Sequence, residues 1–342
     1  MKDSPYPNFI GIGAQKSGTT WLSHNLRMHP QVWIPSIKEV HYFDDRIKDP
    51  QNTASRLSSK LFGREILDRR WRRMARDQAR RHLRGLSGRE LLWDLRYFFG
   101  TPDDEWYASL FEAGGGRVIG EVTPAYSMLE PDDIAHVHEL MPRAKIIFLM
   151  RNPMERAWSR AARLFDRASS PNDPDSVKDR RLRRHFDSER SRLRTGYLRT
   201  LENWGAFYPE ERIFVGFLED INFFPGELLR NLYSFLGVDP SFSPQGMGQR
   251  VHSRSVGRVP TKPMVYLARS YHEEIIDLSE RFGGYASFWL YCAERLIEDP
   301  PEDTSIPYPL WESALWEEWT SAPGSGRRPQ PQSGPLASVQ VI

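Results

Sequence analysis

The sequence is poor in cysteine, in long apolar runs and in excess charge. Cys292 is the single cysteine among 342 residues, so the chain cannot form an internal disulfide. No apolar run reaches the roughly 20 residues that a membrane-spanning helix requires, and residues 1–8 are polar, so we expect no N-terminal membrane anchor. The net charge is only +2, which counts against nucleic-acid binding, because such domains carry a broad positive bias.

Enough apolar residues remain for a sizeable core, and five short apolar segments are predicted as strands. They are Phe9 to Gly13, Val32 to Ile34, Val118 to Val122, Ile146 to Met150 and Ile213 to Phe217. Helical segments separate them, and this alternation predicts an α/β fold with a central parallel sheet flanked by helices. We predict one domain over residues 1–320 with a helical insertion at about 46–105. The Pro-, Gly- and Ser-rich tail, 321–342, is predicted to be disordered.

The segment after the first predicted strand has the composition of an anion-binding loop. A glycine-bearing turn leads from that strand into a helix, and the N–H groups at a helix N-terminus attract negative charge. The side chains of Lys16, Ser17, Thr19 and Thr20 add further donors. A nucleotide-triphosphate P-loop places its lysine after the second glycine, whereas Lys16 here precedes Gly18. The loop therefore fits a phosphate-like group, but in a register that differs from the NTPase one.

A second candidate anion site follows the predicted strand Ile146 to Met150. Arg151 comes directly after that strand, at the edge where open α/β sheets bind ligands. Pro153 opens a helix at a position where its missing N–H costs little, and Ser159 lies two turns into that helix. Arg151 and Ser159 can therefore hold one phosphate together.

These segments resemble the nucleotide-binding motifs of sulfotransferases that use 3′-phosphoadenosine 5′-phosphosulfate (PAPS). The loop is similar to P-K-[SAT]-G-[TS]-[TS]-[WF]-[LV], and residues 151–159 are similar to the family's R-x-P-x-x-R-x-x-S element. A third segment resembles an S-K-G-R loop of the family, with Val256 in place of the lysine. The resemblance implies a P-loop-like fold of the sulfotransferase and nucleoside-kinase type. It also implies that PAPS contacts Gln15, Lys16, Ser17, Gly18, Thr19, Thr20, Trp21, Arg151, Ser159, Gly257 and Arg258.

Residues 36–44 contain two candidate bases for sulfuryl transfer. The reaction needs a base for the acceptor proton and positive charge at the leaving phosphate, for which Lys16 is the predicted helper. In the glycosaminoglycan sulfotransferases of the heparan-type carbohydrate branch, a similar K-E-x-x-[FY]-F segment carries the catalytic glutamate, which corresponds to Glu39. His41 is the alternative base, because other members use a histidine and imidazole titrates near neutral pH. Either residue would also contact the acceptor.

The acceptor side resembles the same branch less closely. Residues 120–126 are similar to an E-K-[ST]-P-x-Y element that lines the acceptor cleft, which makes Thr123 and Tyr126 predicted acceptor contacts, but Val122 replaces the lysine. That loss argues against a heparan-like polyanion and leaves a glycoside, a glycolipid or another small molecule, sulfated on a hydroxyl or on an amine. We expect no metal, because the protein's own cations offset the charge. We also expect a cytoplasmic bacterial protein, because the disulfides and signal anchor of Golgi-lumenal relatives are missing.

Two arginine-rich segments, residues 64–84 and 178–194, lie outside these motifs. Each is amphipathic, so each could face an anionic acceptor or an acidic membrane surface, or could be a solvated helix face. A peripheral membrane contact is thus open, as is the oligomeric state.

Two other functions stay open on the sequence. A P-loop kinase or another ATP-binding protein would use ATP with Mg²⁺ and a carboxylate at a strand end, whereas the fourth predicted strand ends in Arg151. A sulfotransferase fold that has lost catalysis and acts as a binding module would explain why valine replaces lysine at Val122 and Val256.

Overall fold

A computed structural model describes residues 6–44, 60–63, 66–82, 88–168, 175–248, 257–322 and 329–339. In chain order the strands are β1 (Phe9–Gly13), β2 (Val32–Trp33), β3 (Val118–Val122), β4 (Lys145–Met150), β5 (Ile213–Phe217), β6 (Gly257–Pro260), β7 (Ser305–Tyr308) and β8 (Gly334–Pro335). Six strands form the central sheet in the order β2-β3-β1-β4-β5-β8, and β6 and β7 form a separate antiparallel pair.

The helices alternate with these strands along most of the chain. They are α1 (Thr19–Met28), α2 (Ile66–His82), α3 (Gly88–Phe99), α4 (Asp104–Ser109), α5 (Pro131–Leu140), α6 (Pro153–Ala168), α7 (Asp175–Phe186), α8 (Glu189–Leu193), α9 (Tyr197–Gly205), α10 (Leu218–Phe223), α11 (Pro225–Leu236), α12 (Thr261–Phe282), α13 (Gly284–Glu298) and α14 (Ala314–Ser321). None of the helices in the described ranges is long and apolar enough to cross a membrane.

The sheet is parallel from β2 to β5, which confirms the predicted α/β fold. Side chains alternate between its two faces, because successive residues of a strand point in opposite directions. On β4, Ile146 and Phe148 belong to the larger apolar layer, whereas Ile147 and Leu149 belong to the smaller one beneath α1 and α11. Both faces of the sheet are therefore covered. Strand β1 lies between β3 and β4, and its carboxyl end leads into the predicted anion-binding loop.

The described part of the predicted insertion contains α2 and α3, which pack side by side. The ring of Trp71 on α2 meets the rings of Phe98 and Phe99 on α3 edge to face, and Nε2 of Gln78 donates a 3.1 Å hydrogen bond to Asp94. Residues 46–59, 64–65 and 83–87 of the predicted insertion lie outside the described residues.

The C-terminal tail departs from the sequence prediction. Residues 321–342 were expected to be disordered, but β8 pairs antiparallel with β5 at the edge of the sheet. The cause is the buried carboxylate of Asp220, which accepts hydrogen bonds from the backbone N–H groups of Gln332 and Ser333 and from the Ser333 hydroxyl. Composition alone misses this contact, since its acceptor lies more than 100 residues away.

Candidate active site

The loop between β1 and α1, residues 14–18, turns sharply and requires a glycine. Lys16 and Gly18 have φ angles of 79° and 89°, in the left-handed region that glycine tolerates best. A Cβ on Gly18 would also lie 2.4 Å from Cδ1 of Ile221 on α10. Ser17 is fully buried. The predicted loop is thus closely packed, and Gly18 supplies the backbone conformation that its turn requires.

The N-terminus of α1 lacks a side-chain cap among the described residues, since Gly18 is the N-cap. The first N–H groups of a helix have no partner within the helix and carry the positive end of its dipole. Thr19 and Thr20 add hydroxyls to this first turn. Such an arrangement is typical of sites that bind phosphate groups.

Arg151 joins the second predicted anion site to the β1–α1 loop. It follows β4 and is 7% exposed. Its Nη1 lies 3.4 Å from the backbone oxygen of Lys16, and its Nε donates to Glu155 at 3.2 Å. The neighbouring strands β1 and β4 therefore bring residues 135 positions apart into one site.

Tyr308 on β7 is a site residue that the sequence analysis missed. Its hydroxyl accepts a 2.6 Å hydrogen bond from Nη2 of Arg151, and the guanidinium lies 5.2 Å from the ring centroid. The Ser159 hydroxyl also hydrogen-bonds the phenol, and burial raises the pKa of Tyr308. No local pattern marks this tyrosine, because its position depends on a strand pair formed far along the chain.

The pairing of β6 with β7 places the third predicted segment at the same site. Gly257 lies opposite Tyr308 in the register, so Gly257 neighbours the Arg151 site. Arg258 has a different environment. Its Nε donates to the Ser305 hydroxyl at 2.8 Å, and its guanidinium pairs with Asp303. In this structure the predicted contact Arg258 is thus held on the outer side of the hairpin, with 54% of its side chain exposed.

Both candidate bases lie in one chain of charged side chains, residues 38–44, which we name the base loop. Lys38 Nζ is 3.0 Å from Glu39 Oε1, and Glu39 Oε2 is 3.4 Å from His41 Nε2. The other ring nitrogen of His41 is 2.8 Å from Asp44 Oδ2. Glu39 and His41 have φ angles of 70° and 59°, an uncommon conformation for residues with a Cβ that often marks functional sites.

The neighbours of Glu39 and His41 shift their pKa values in opposite directions. Burial by itself raises the pKa of Glu39, but hydrogen bonds and charges from His41 and Lys38 outweigh it and hold the pKa well below its usual range. Burial lowers the pKa of His41, but hydrogen bonds and charges from Asp44 and Glu39 raise it to about 10. At neutral pH Glu39 is therefore an anion and His41 a cation.

Lys38 links the base loop to the β1–α1 loop, a contact that the sequence analysis did not predict. Its Nζ lies 3.4 Å from the hydroxyl of Thr19, the first residue of α1, while it also bonds to Glu39. The adjacent pair Lys38-Glu39 is the sequence signal that could have suggested this contact, because a lysine next to the candidate base can reach a neighbouring loop while it pairs with the glutamate. The candidate base is thereby fixed next to the candidate anion site.

Glu121 on β3 anchors the base loop through hydrogen bonds. Its buried carboxylate accepts hydrogen bonds from Tyr107 at 2.6 Å, from Thr123 at 2.6 Å and from Tyr126 at 3.1 Å. The backbone N–H of Val40 also donates to it, at 3.4 Å. Burial raises the pKa of Glu121, although these hydrogen bonds counteract the shift.

Thr123 and Tyr126 belong to this support rather than to an open cleft. Both side chains are fully buried, and the Tyr126 hydroxyl accepts a 3.0 Å hydrogen bond from the N–H of Tyr42 while donating to Glu121. Their burial argues against the predicted direct contact with an acceptor. The structure instead gives both residues a positioning role, because they fix the backbone next to His41.

Two residues that follow Arg151 in the chain, Asn152 before α6 and Arg156 on α6, have buried donor atoms without a hydrogen-bond partner among the described residues. Arg156 is fully buried, and within the described residues its Nε and Nη1 have no hydrogen-bond partner, while Nη2 donates to Ser191 O at 3.3 Å. Nδ2 of Asn152 is likewise buried and unpaired. Leaving buried donors unpaired costs free energy, so this region fits an anionic ligand.

The described residues contain no group of three or more His, Cys, Asp or Glu that could hold a metal ion. The carboxylates nearest the site are instead bound to cations or hydroxyls, as Glu39 is to Lys38 and Glu121 to Tyr107.

Comparison with known proteins bears on the identity of this site. Over an alignment of 153 residues, the chain is 29% identical to the membrane-associated sulfotransferase kil1 of Dictyostelium discoideum. The alignment covers 45% of this chain and 22% of that protein. The human bifunctional heparan sulfate N-deacetylase/N-sulfotransferase 2 is 22% identical over 324 residues, which are 83% of this chain and 31% of that protein. The chain thus spans less than a third of the length of either relative.

A solved structure and a family model extend the comparison. The crystal structure of a sulfotransferase from Alicyclobacillus acidocaldarius is 20% identical and superimposes with a TM-score of 0.52, covering 80% of this chain and 94% of that one. This likeness supports the fold. A model described as the sulfotransferase family matches residues 7–244, which include β1 to β5, the base loop and Arg151. That match extends over more than half of the 342 residues, and the chain belongs to the sulfotransferase family.

Proposed function

We propose that this protein transfers a sulfuryl group from PAPS to an acceptor hydroxyl, with an amine as the alternative acceptor. One observation carries the proposal: both predicted anion sites and the base loop meet at the β1–α1 loop. Arg151 reaches the backbone oxygen of Lys16 at 3.4 Å, and Lys38 reaches the hydroxyl of Thr19 at 3.4 Å. Sulfuryl transfer needs this combination of anion binding beside a base.

The residues present fit PAPS. The first turn of α1 with Lys16 and Ser17 would hold the phosphosulfate end, and Arg151, Ser159 and Tyr308 would hold the 3′-phosphate. The unpaired nitrogens of Arg156 and Asn152 add donors nearby. When bound, PAPS supplies the activated sulfuryl group, and 3′-phosphoadenosine 5′-phosphate remains after transfer.

In this proposal Glu39 accepts the acceptor's proton. His41 keeps its own proton up to a pH of about 10, so it cannot accept another at neutral pH, whereas Glu39 is ionised. The low pKa of Glu39 makes it a weak base in the free protein. We infer that an acceptor hydroxyl entering beside Glu39 loosens its ion pair with His41, which raises the basicity of the carboxylate.

Calorimetric titration tests the proposed nucleotide. We expect 3′-phosphoadenosine 5′-phosphate to bind without added metal, and Lys16→Ala and Arg151→Ala each to weaken binding at least about tenfold, since each removes charge-assisted hydrogen bonds. Arg230→Ala, an exposed arginine on α11, is the matched control and should bind as the unmodified protein does. Preference for ATP with Mg²⁺ would instead support a P-loop kinase.

Acceptor identity needs a separate experiment. We propose a glycoside, a glycolipid or another small molecule. Incubating the protein with radiolabelled PAPS and a cell extract, separated into lipid and aqueous fractions, should transfer label to one fraction for identification by mass spectrometry. Tight nucleotide binding with no transfer to any fraction would favour a binding module that has lost catalysis.

A further inference from the structure

The end of the arginine-rich segment 178–194 lies against α6. Arg156 on α6 is fully buried, and its Nη2 donates a 3.3 Å hydrogen bond to the backbone oxygen of Ser191 on α8. Arg160 lies one turn further along the same face of α6. Arg194 follows α8 directly and is 9% exposed. We name Arg156, Arg160 and Arg194 the arginine cluster.

Mutual electrostatic effects show that these charges lie close together. Burial lowers the pKa of Arg194 to about 10, and the charges of neighbouring arginines add to the shift; these are Arg190, Arg160 and Arg156. Burial also lowers the pKa of His185 on α7, and the charges of all three cluster members add to that shift. Like charges in a partly dehydrated place repel one another and destabilise the folded state. The arginine cluster therefore costs stability, as is typical of a binding site.

Several donors at the arginine cluster lack protein partners. Within the described residues, Nε and Nη1 of Arg156, Oγ of Ser191 and Nε2 of His185 are buried and have no hydrogen-bond partner. Nη2 of Arg156 and Nη1 of Arg194 donate to backbone oxygens rather than to carboxylates. Burying donors and charges without partners costs free energy. An oxyanion among these groups would accept charge-assisted hydrogen bonds and offset the repulsion between the arginines.

The arginine cluster neighbours both parts of the candidate active site. The negative charge of Asp44, the last residue of the base loop, counteracts the lowering of the pKa of Arg194. Burial raises the pKa of Tyr197 to about 12, and the charge of Arg156 counteracts that shift. The Tyr197 hydroxyl in turn donates a 2.8 Å hydrogen bond to the backbone oxygen of Arg151. An oxyanion at the cluster is thus close to the base loop as well as to the Arg151 site.

We propose that the arginine cluster binds an acidic group of the acceptor, a carboxylate or a phosphate, while the group to be sulfated lies beside Glu39. This inference rests on the proposed sulfuryl transfer. Arg194, His185 and Ser191 would contact the acidic group, and Arg156 would add charge to this site and to the nucleotide site. A compact cluster fits one acidic group, so the acceptor class is an acidic glycoside or glycolipid rather than a polyanion.

Inorganic phosphate is the probe for the anion site itself. The full chain is saturated with 3′-phosphoadenosine 5′-phosphate and titrated with inorganic phosphate, while NMR of histidine-labelled protein follows the imidazole signal of His185, assigned with His185→Gln. We expect a saturable shift of this signal. Arg194→Gln should weaken phosphate affinity at least about tenfold, because it removes charge-assisted hydrogen bonds. Arg192→Gln removes an equal charge from a neighbouring exposed position and should bind phosphate as the unmodified protein does.

Melting temperature separates a binding role of Arg194 from a structural one. Because the cluster charges repel one another, Arg194→Gln should leave the melting temperature unchanged or raise it in the absence of phosphate. Arg194→Lys keeps the charge and should retain more phosphate affinity than Arg194→Gln does. A lower melting temperature with unchanged phosphate affinity in Arg194→Gln overturns the proposal. The absence of a saturable shift of His185, or an equal loss of affinity in Arg192→Gln, overturns it as well.

Transfer of label tests whether the acidic group belongs to the acceptor. A cell extract is divided on an anion exchanger, and the retained and unretained fractions are each incubated with the protein and radiolabelled PAPS. We expect label in the retained fraction, and Arg194→Gln should raise the KM for that acceptor at least about tenfold with little change in kcat. Label in the unretained fraction alone would mean that the site takes a free anion. Transfer to neither fraction, with phosphate bound at the cluster, overturns the proposed function and the acceptor assignment but leaves the anion site.

Discussion

The β1–α1 loop and the base loop form the two sides of one site, but different interactions hold them. The β1–α1 loop depends on backbone geometry: a glycine at positive φ, a helix N-terminus and the adjacent strand β4. The base loop has hardly any regular structure and depends on side chains, chiefly the buried carboxylate of Glu121 and its hydroxyl partners. The β1–α1 loop thus depends mainly on its own backbone and on a neighbouring strand, whereas the base loop depends on a side chain, Glu121, that lies 81 positions from Val40.

The difference teaches where each kind of variant should act. Changes in the β1–α1 loop should alter nucleotide affinity and stability together, because backbone packing and ligand binding share the same atoms. Changes in the base loop and its support should alter turnover while nucleotide affinity is retained, because Glu121 and Tyr126 hydrogen-bond the backbone of the base loop at Val40 and Tyr42.

Substitution of Glu39 should give the largest effect. We expect Glu39→Gln to lower the rate of sulfate transfer about 10² to 10⁴ fold, the usual contribution of a general base, with unchanged affinity for 3′-phosphoadenosine 5′-phosphate. Radiolabelled transfer and calorimetry measure the two quantities. If His41→Ala abolishes transfer and Glu39→Gln does not, the base is His41 and the assignment is reversed.

Asp44→Asn is a useful comparison for Glu39→Gln, because it removes a charge from the same loop at the other side of His41. It should reduce transfer far less than Glu39→Gln does. Equal losses in both variants would mean that the charge chain as a whole, and not the Glu39 carboxylate, limits the reaction.

The fold was largely predictable, since apolar segments of about three to five residues separated by helical stretches indicate a parallel sheet. The five predicted strands agree with β1 to β5 apart from small shifts at β2 and β4. The added edge strand β8 could not be predicted, because Pro- and Gly-rich composition hides a contact supplied by Asp220. A hydrogen bond between a polar segment and a buried carboxylate far away in the chain leaves no hydrophobic periodicity in the local sequence.

The site was predictable only where a motif carries it. Lys16, Gly18 and Arg151 lie together because strands β1 and β4 are neighbours, an order the parallel-sheet prediction permits but does not require. Tyr308 was not predicted, because its position depends on the pairing of β6 with β7. Lys38 was not predicted, because its contact with Thr19 depends on the direction of its side chain. The sequence also could not show that Thr123 and Tyr126 are buried and that their hydroxyls donate hydrogen bonds to Glu121.

Gly18→Ala sharpens the comparison on the anion side and should give the next largest effect. Ala at this site combines positive φ with a contact of 2.4 Å to Ile221, so we expect a loss of about 2 to 4 kcal/mol in the free energy of unfolding, together with weaker nucleotide binding. Gly115→Ala is the matched control: its φ is 48°, and nothing lies within 4 Å of the new Cβ. It should lose only about 1 kcal/mol. Chemical denaturation measures both, and equal losses would show that the contact with Ile221 is relieved.

Stability should depend on pH through His41 on the base side. Its pKa is raised from 6.5 to about 10 in the folded protein, so its stabilising contribution is full below pH 6.5 and is lost as the pH rises towards about 10. The difference in melting temperature between the unmodified protein and His41→Gln should therefore shrink over that interval. A difference that stays constant with pH would mean that His41 is not held as a cation between Glu39 and Asp44.

Two tyrosine variants give the smallest effects and divide the two sides most cleanly. Tyr126→Phe removes the donor to Glu121 and the acceptor for the Tyr42 N–H, and Tyr308→Phe removes the acceptor for Arg151 Nη2. Each should cost about 1 to 3 kcal/mol, because a buried partner is left unsatisfied. We expect Tyr126→Phe to lower the transfer rate with nucleotide affinity retained, and Tyr308→Phe to weaken nucleotide affinity at least several-fold. If both variants change affinity and rate alike, the two sides act as one cooperative unit, and the Glu121 network also positions the anion site.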